Sequence, residues 1–306
     1  MFVRQLTYLV ALARHRHFAQ AAESCEVTQP ALSAGVRQLE RELGITIIRR
    51  DRRFMGFTPE GERVLAWARQ MLASLEGLRQ EAVLARSVSG GHLAIGAVPS
   101  SLPACTLLAV AFRRAIPEIS LEVHSLSTRQ ILQRLKRQEL HLGITYLDHV
   151  PHQLCEVQPL YAERYVLVAG GRPGRPLKPR LSWKQAGRLP LCLFNHEMHN
   201  RAIIDEAFRQ AGVVPRVMVE TNTISVLYAM VRNGELCSVM PVSALPDYFL
   251  GGDITLHPLD PMHSSAVGML RLRQKIDSPL LAAAWQLAAK LDLQATLDEA
   301  LDPPAN

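Results

Sequence analysis

The sequence predicts an α/β protein in three parts: a small helical domain ending in a two-stranded wing, one long helix, and a larger domain of two α/β lobes. Three observations predict it. Apolar residues recur at helical spacing in the first fifth of the chain and give way to an arginine-rich hairpin, residues 59–87 carry an apolar heptad, and strand and helix patterns alternate from residue 90 onward. A chain of 306 residues can bury two or three cores.

The formal net charge of +6 favours a polyanionic partner. The start, "MFVRQLTYLVALARHRHF", lacks the apolar segment and small-residue cleavage site of a secretion signal, and no apolar run reaches membrane-spanning length. A cytoplasmic protein with no membrane partner is expected. Five cysteines, at 25, 105, 155, 192 and 237, are widely spaced and form no C-x-x-C pair. They read as small buried residues rather than as a disulfide framework or zinc knuckle.

Phe2, Leu6, Leu9, Val10 and Ala13 form one face of a first helix. "FAQAAESC" is a short, alanine-rich second helix, and Glu26 and Val27 make the turn that follows. Thr28 can cap a third helix, with Pro30 in its first turn, where a missing N–H costs nothing. On that helix Leu32, Val36, Leu39 and Leu43 form a stripe for the core, while Gln29, Ser33 and Arg37 recur every four residues beside it. In isolation such a polar strip is a solvated helix face. Behind a short helix and a tight turn, it becomes the leading edge of a helix that enters the DNA major groove.

"ITIIRRDRRFMGFTPEG" reads as strands at 45–50 and 54–58 joined by a turn bearing Arg49, Arg50, Arg52 and Arg53. Four mutually repelling arginines on one tip are best tolerated where counter-charge arrives from outside, as along a DNA backbone or minor groove. A solvated loop is the alternative.

The stretch "QLTYLVALARHRHFAQAAESCEVTQPALSAGVRQLERELGITIIRRD", continued by "FTPEGERVL", closely resembles the winged helix-turn-helix of LysR-type transcriptional regulators. "YLVALARHRHF" and "AAESCEVTQPALS" resemble the peroxide-sensing branch most. The resemblance implies contacts to double-stranded promoter DNA by Thr28, Gln29, Pro30, Ser33 and Arg37, and wing contacts by Arg50, Arg52 and Arg53. Two departures stand out. Ala34 and Gly35 follow the serine where many members carry a polar or basic residue, and Ile47 and Ile48 replace the usual Leu-Phe of the first wing strand.

From Pro59, capped by Thr58, the positions Val64, Ala68, Met71, Leu75, Leu78, Ala82 and Ala85 alternate steps of four and three. A helix over 59–87 would be roughly 40 Å long. Nothing nearby in sequence can cover so long a stripe, so a second subunit is its economical partner and packing against the chain's own C-terminal domain the alternative. The domains expected are 1–58 (winged helix-turn-helix), 59–89 (linker and dimerisation helix, ending at "SVSGG") and 90–306 (effector-binding).

Beyond the linker, "HLAIGAV", "ISLEVHSL" and "LHLGITYL" read as strands separated by helices, and the pattern restarts at "RYVLVAGG" and runs through "LPLCLF", "RVMVE", "LCSVMP" and "SSAVGMLRL" to a final helix, "PLLAAAWQLAAKLDL". The alternation predicts parallel sheets with right-handed crossovers. This portion resembles the two-lobed, periplasmic-binding-protein-like effector domain of LysR-type regulators. Lobe I is expected over about 90–163 and 265–295, and lobe II over about 164–264.

Ligands in such sheets bind beyond the carboxyl ends of strands, at helix N-termini. Pro99, Ser100 and Ser101 follow the first strand, Ser127 and Thr128 the second, and Tyr146 ends the third. Each hydroxyl taken alone could be an ordinary cap. "NHEMHNR", residues 195–201, ends a strand of the second lobe and admits three readings. His196, Glu197 and His199 suggest a metal, but H-E-x-x-H is absent. Redox sensing would need the reactive cysteine pair of the peroxide sensors, whose places are taken by His199 and Phe208. The favoured reading gives His196, His199, Asn200 and Arg201, with Asn222 and Thr223, to a small carboxylate-like effector, because arginine pairs carboxylates bidentately and histidine adds a donor.

No G-x-S-x-G, P-loop or G-x-G-x-x-G is present, so no enzyme, catalytic residue, metal or cofactor is expected. The expectation is a LysR-type regulator whose promoter binding responds to a small anionic effector, with a redox- or metal-responsive regulator of the same fold as the alternative. The family resemblance implies a homodimer, usually assembled into a homotetramer, and RNA polymerase as a partner if the protein activates.

Overall fold

In the computed structural model, which describes residues 3–50, 54–84, 90–148, 150–170, 177–245, 254–273 and 278–299, the chain separates into two units, Met1–Val88 and Ser89–Asn306. The first contains helices α1 (Val3–His15), α2 (Phe18–Ser24) and α3 (Gln29–Leu43), the hairpin β1 (Ile48–Arg50) and β2 (Phe54–Phe57), and α4 (Pro59–Leu84). Leu6, Leu9 and Leu12 of α1 meet Ala21 and Ala22 of α2 and Leu32, Val36 and Leu39 of α3 in one core. The small α2 residues let these helices approach closely. Between α2 and α3 the chain turns with Glu26 at a positive φ of 55°, while the Val27 N–H returns to the Ala22 carbonyl at 3.0 Å.

Several expectations shift here. Leu43 is 41% exposed, because α3 ends there on the left-handed Gly44 (φ 68°) before its stripe can reach the core again. The first wing strand begins at Ile48 rather than at residue 45, since the Glu40 carboxylate accepts the N–H groups of Ile47 and Ile48 at 2.9 and 3.1 Å. Gly61 is required at the base of α4: a Cβ there would lie 2.1 Å from the Ile47 carbonyl oxygen.

The stripe on α4 has two fates. Ala68, joined by Leu65, is buried in the unit's own core, with Val64 and Leu72 packed against it, so α1 and the wing cover the first half of the helix. Met71 and Leu78, with Trp67, stay exposed. Ala85 lies outside the described residues, as does Phe2.

In the second unit, lobe I comprises β3 (Gly90–Ala97), α5 (Leu102–Ala115), β4 (Glu118–Ser125), α6 (Thr128–Lys136) and β5 (Leu142–Tyr146). The long β6 (Cys155–Gly170) leads into lobe II, with β7 (Leu181–Ser182), α7 (Trp183–Ala186), β8 (Leu191–Phe194), α8 (His199–Gln210), β9 (Val217–Thr221), α9 (Ile224–Arg232), β10 (Cys237–Pro241) and β11 (Ile254–Asp260). The chain returns to lobe I through β12 (Ser264–Leu272) and closes with α10 (Pro279–Ala289) and α11 (Leu293–Glu299).

The strand order is β4-β3-β5-β12-β6-β10-β8-β9, with β11 also on β6. Strands β3, β4 and β5 are parallel, as are β8, β9 and β10, but β6 runs antiparallel to β10, β11 and β12. The sheet is therefore mixed rather than parallel. Among the described residues β11 and β12 retrace the length of β6 in the opposite direction. The sequence pattern starts this strand at Arg164 and passes over 155–163, because Pro159 interrupts the run where the β12 register also shifts. It also passes over β11, which contains Pro258, and it carries α10 four residues too far, to Leu293, where a separate α11 begins that the pattern passes over.

Candidate nucleic-acid interface and ligand cleft

At the head of α3 the Thr28 hydroxyl accepts the Ala31 N–H at 3.4 Å, and Pro30 sits in the first turn. Gln29 and Arg37 are exposed and Ser33 half-buried, along the flank of the buried stripe of Leu32, Val36 and Leu39. Arg37 folds back along this strip, its Nη2 donating to Ser33 Oγ at 3.2 Å and its Nε to the Ser33 carbonyl at 3.4 Å. Gly35 is explained by packing: a Cβ would fall 2.7 Å from the Tyr8 ring.

Beside the strip lies a groove of about 720 Å³ lined by Arg37, Arg41, Gly44 and Thr46. Arg41 is the next step of the same four-residue series, one turn beyond the strip named from sequence. Arg49 is exposed on β1, while the Arg50 side chain and all of Arg52 and Arg53 lie outside the described residues.

In the second unit a cleft of about 500 Å³ opens between α6 and the start of α8. One wall presents Thr128, Arg129, Gln133 and Lys136, and the other His196, Glu197 and His199. Thr128, His196 and His199 were expected from sequence; Arg129, Gln133 and Lys136 were not, because an amphipathic helix always shows a polar face and nothing local says what that face opposes. Ser127 is the α6 N-cap and forms a reciprocal capping box with Gln130, which explains it without a ligand. The Thr128 hydroxyl pairs with that of Thr145 at 2.7 Å.

Behind the cleft, the remaining lobe I candidates form a buried polar cluster around a residue that was not expected, Glu163. Pro99, Ser100 and Ser101 make a buried 3-10 turn. Ser100 Oγ and Tyr146 Oη lie 2.9 Å apart, Asn200 Nδ2 donates to Tyr146 Oη at 3.0 Å, and Tyr146 Oη donates to Glu163 Oε2 at 2.6 Å. Tyr165 Oη and Ser243 Oγ reach the same carboxyl at 3.4 and 3.3 Å. Burial holds the Glu163 carboxyl well above the usual carboxylate range, at about 7. Burial and the neighbouring carboxyl push the Tyr146 and Tyr165 hydroxyls up as well. His199 stacks obliquely on Tyr146, ring centroids 5.1 Å apart, and so joins this cluster to the cleft. The signal in the sequence was period-two alternation, which puts Tyr161, Glu163 and Tyr165 on one buried strand face.

Arg201 does not face the cleft. Its guanidinium is buried and spent within the chain: Nε donates to Asp205 at 2.8 Å, and Nη1 donates to Glu220 at 2.6 Å and to the Phe194 carbonyl at 2.8 Å. The carboxylates expected from an effector are supplied by the protein itself, and this arginine anchors the strand end to α8. Its contact holds the Glu220 carboxyl below its usual range. His196, 69% exposed, stands beside Arg201, Asp205 and Glu220. Asn222 and Thr223 are exposed, engage each other at 3.0 Å and are not part of the cleft wall.

Phe208, at one expected redox-cysteine position, fills the lobe II core against Trp183. Burial pushes the Cys105 thiol up to about 12 and the Cys192 thiol to about 11. Among the described residues no group of three or more His, Cys, Asp or Glu side chains could hold a metal ion. No helix among them is long and apolar enough to cross a membrane.

Comparison with known proteins bears on both regions. Residues 3–62 match the bacterial regulatory helix-turn-helix model of the lysR family, and residues 86–292 match the LysR substrate binding domain. The hydrogen peroxide-inducible genes activator of Dickeya chrysanthemi is 36% identical over 250 residues, 80% of this chain and 81% of that protein. The regulator CzcR of Bacillus subtilis is 24% identical, covering 90% of this chain and 92% of its own. Among solved structures, a variant of full-length OxyR from Pseudomonas aeruginosa superposes with a TM-score of 0.72 at 26% identity, covering 94% of this chain and 93% of that one. Full-length CbnR complexed with its target DNA has the same fold, with a TM-score of 0.65 at 20% identity over 94% of this chain and 99% of that one.

Proposed function

The chain belongs to the LysR family of DNA-binding transcriptional regulators, close to its peroxide-sensor branch, and from that premise we propose that its promoter binding is controlled by a small carboxylate-bearing effector held between α6 and α8. The observation that carries this reading is the make-up of the cleft. Arg129 and Lys136 on one wall face His196 and His199 on the other, against the single acid Glu197, and the free N–H groups at the head of α6 begin at Thr128. Ser100, Tyr146 and Asn200 act behind this shell by fixing its floor, and Arg201 by fixing its frame.

DNA is read by Thr28, Gln29, Pro30, Ser33 and Arg37 in the major groove, with Arg50, Arg52 and Arg53 of the wing along the backbone or minor groove. Two copies pair through α4, whose exposed Trp67, Met71 and Leu78 need a cover, so that paired winged domains address two half-sites; such dimers assemble into tetramers. Effector binding favours one setting of the lobes and thereby one spacing of the winged pairs.

The relatives named for hydrogen peroxide raise a redox reading. The residues here weigh against it, because the buried Cys105 and Cys192 thiols stay protonated and are poor nucleophiles. A thermal-shift panel of small carboxylates, oxyanions and divalent metals on the purified chain tests the proposal. A carboxylate should raise Tm, and Lys136→Ala should abolish the rise; stabilisation by Zn²⁺ or Ni²⁺ alone would replace this reading with a metal-responsive one.

A further inference from the structure

The groove beside α3 extends past the residues assigned to base reading. It runs along the C-terminal half of the helix, with Ala34, Arg37 and Arg41 on one side and Gly44 and Thr46 on the other, and encloses about 720 Å³. The wall opposite the helix is firmly held. Gly44, at a φ of 68°, turns the chain back along α3, the Ile45 N–H returns to the Glu40 carbonyl at 3.1 Å, and the Glu40 carboxylate accepts the N–H groups of Ile47 and Ile48. Helix and link thus face each other across a trough whose shape is set before any partner arrives.

The trough carries positive charge that the chain does not neutralise. Arg37 bonds Ser33 and Arg41 bonds Gln38, both uncharged. Of the nearby acids, Glu40 directs Oε1 into the corner it shares with Ile47 and Ile48. Glu42 lies outside the trough and accepts from Gln5 of α1 and from Gln38. Ala34 and Gly44 add no bulk to the walls, so the space stays open to something as thick as a nucleic-acid backbone.

Length along the helix decides what meets this trough. At about 1.5 Å per residue, Arg37 lies about 12 Å and Arg41 about 18 Å along the axis from Gln29. The major groove of B-DNA is about 12 Å wide and about 8.5 Å deep. A helix that enters with Gln29 foremost therefore has Arg37 at the lip of the groove and Arg41 beyond it, over the strand that forms the lip. Each four-residue step also turns by about 40°, so Arg41 points about 120° round the axis from Gln29. It cannot read the same base pairs.

We infer that the trough between α3 and residues 44–46 is a saddle for the sugar–phosphate backbone of one DNA strand, with the Arg41 guanidinium donating to a phosphate. This contact rests on the major-groove placement proposed for Gln29, Ser33 and Arg37, and adds a sequence-independent anchor to it. A guanidinium suits the task because its fork of N–H donors matches two phosphate oxygens. Backbone contacts of this kind fix the register of a helix on the duplex, while base contacts specify the sequence. The saddle and the wing share the Glu40 corner, so seating one strand in the trough also sets where the wing falls.

Fluorescence anisotropy of the full chain on a promoter duplex and on a scrambled duplex of equal length, from 50 to 200 mM salt, tests the saddle. Arg41→Ala should weaken binding several-fold at low salt, by the same factor on both duplexes. The slope of log K against log salt should become shallower by about 1 for each bound copy. Arg41→Gln, which keeps the bulk and removes the charge, should do the same and keeps the test decisive should Arg41→Ala fold poorly. Arg41→Lys retains the charge and should retain the slope. A slope unchanged in both Arg41→Ala and Arg41→Gln overturns the saddle, as does a loss confined to the promoter duplex, which would make Arg41 a base contact. Arg37→Ala, measured alongside, separates this failure from a wider one: if it still lowers promoter binding, α3 reads the major groove without the saddle, and if it too changes nothing, the placement of α3 falls as well.

Discussion

The Glu40 carboxylate of α3 accepts the Ile47 N–H at 2.9 Å, so the helix that carries the polar strip proposed to read DNA also fixes where the wing begins. It accepts the Ile48 N–H at 3.1 Å as well, and the Thr58 hydroxyl closes the same junction by donating to the Thr46 carbonyl at 2.6 Å. Recognition helix and wing thus share one hydrogen-bonded corner. Glu40→Ala leaves two backbone donors without this partner and should cost the winged domain about 1–3 kcal/mol. Chemical denaturation of the full chain measures the loss, and promoter affinity should fall with it although Glu40 itself meets no base.

Arg37→Ala should weaken specific promoter binding by about 1–3 kcal/mol and leave folding intact, since Arg37 is exposed and, among the described residues, bonds only Ser33, one turn back. Fluorescence anisotropy against specific and scrambled duplexes separates the two contributions. Equal loss on both duplexes would make Arg37 a phosphate contact rather than a base contact.

Lys136→Ala and Arg201→Ala should behave oppositely. The first removes a cation from the cleft wall, so the thermal shift by carboxylates disappears while the ligand-free Tm stays within a degree or two of wild type. The second strips Asp205, Glu220 and the Phe194 carbonyl of their shared donor. It should lower stability by about 2 kcal/mol, below the cost of breaking a fully buried pair because both carboxylates reach solvent.

Leu78→Glu on α4 places a charge on a face that the unit's own core leaves bare, Leu78 being 66% exposed. Sedimentation should show a shift from dimer or tetramer towards monomer, with winged-domain stability unchanged. Ala68→Glu, by contrast, should unfold that domain, because Ala68 is buried in its core.

Stability should depend on pH with a sign opposite to that of an ordinary surface carboxylate. The Glu163 carboxyl is raised from 4.5 to about 7 in the folded state. Its stabilising contribution is therefore fully present below about 4.5 and is lost as pH rises through about 7. The span amounts to about 3 kcal/mol between those limits. Wild type minus Glu163→Gln, compared by denaturation at pH 5.5 and 8, isolates this slope from the other carboxylates.

The sequence alone determined the helices of the first unit, the polar strip on α3 proposed to read DNA and the two-lobed α/β character of the second unit. Those features rest on local periodicity and capping: Thr28 must cap because a free N–H follows it, and Leu32, Val36 and Leu39 must face inward because they share one side of α3. Tertiary structure decided what each polar side chain faces. Arg201 reads in sequence as a hand extended to a ligand, yet Glu220 lies 19 residues away in the chain and 2.6 Å away in space. Glu163 reads as one acid in a strand and becomes the meeting point of hydroxyls whose sequence separations run to 80 residues. Spacing fixes the side of an element on which a residue lies; only the packing of distant elements fixes whether that side meets solvent, ligand or another charge.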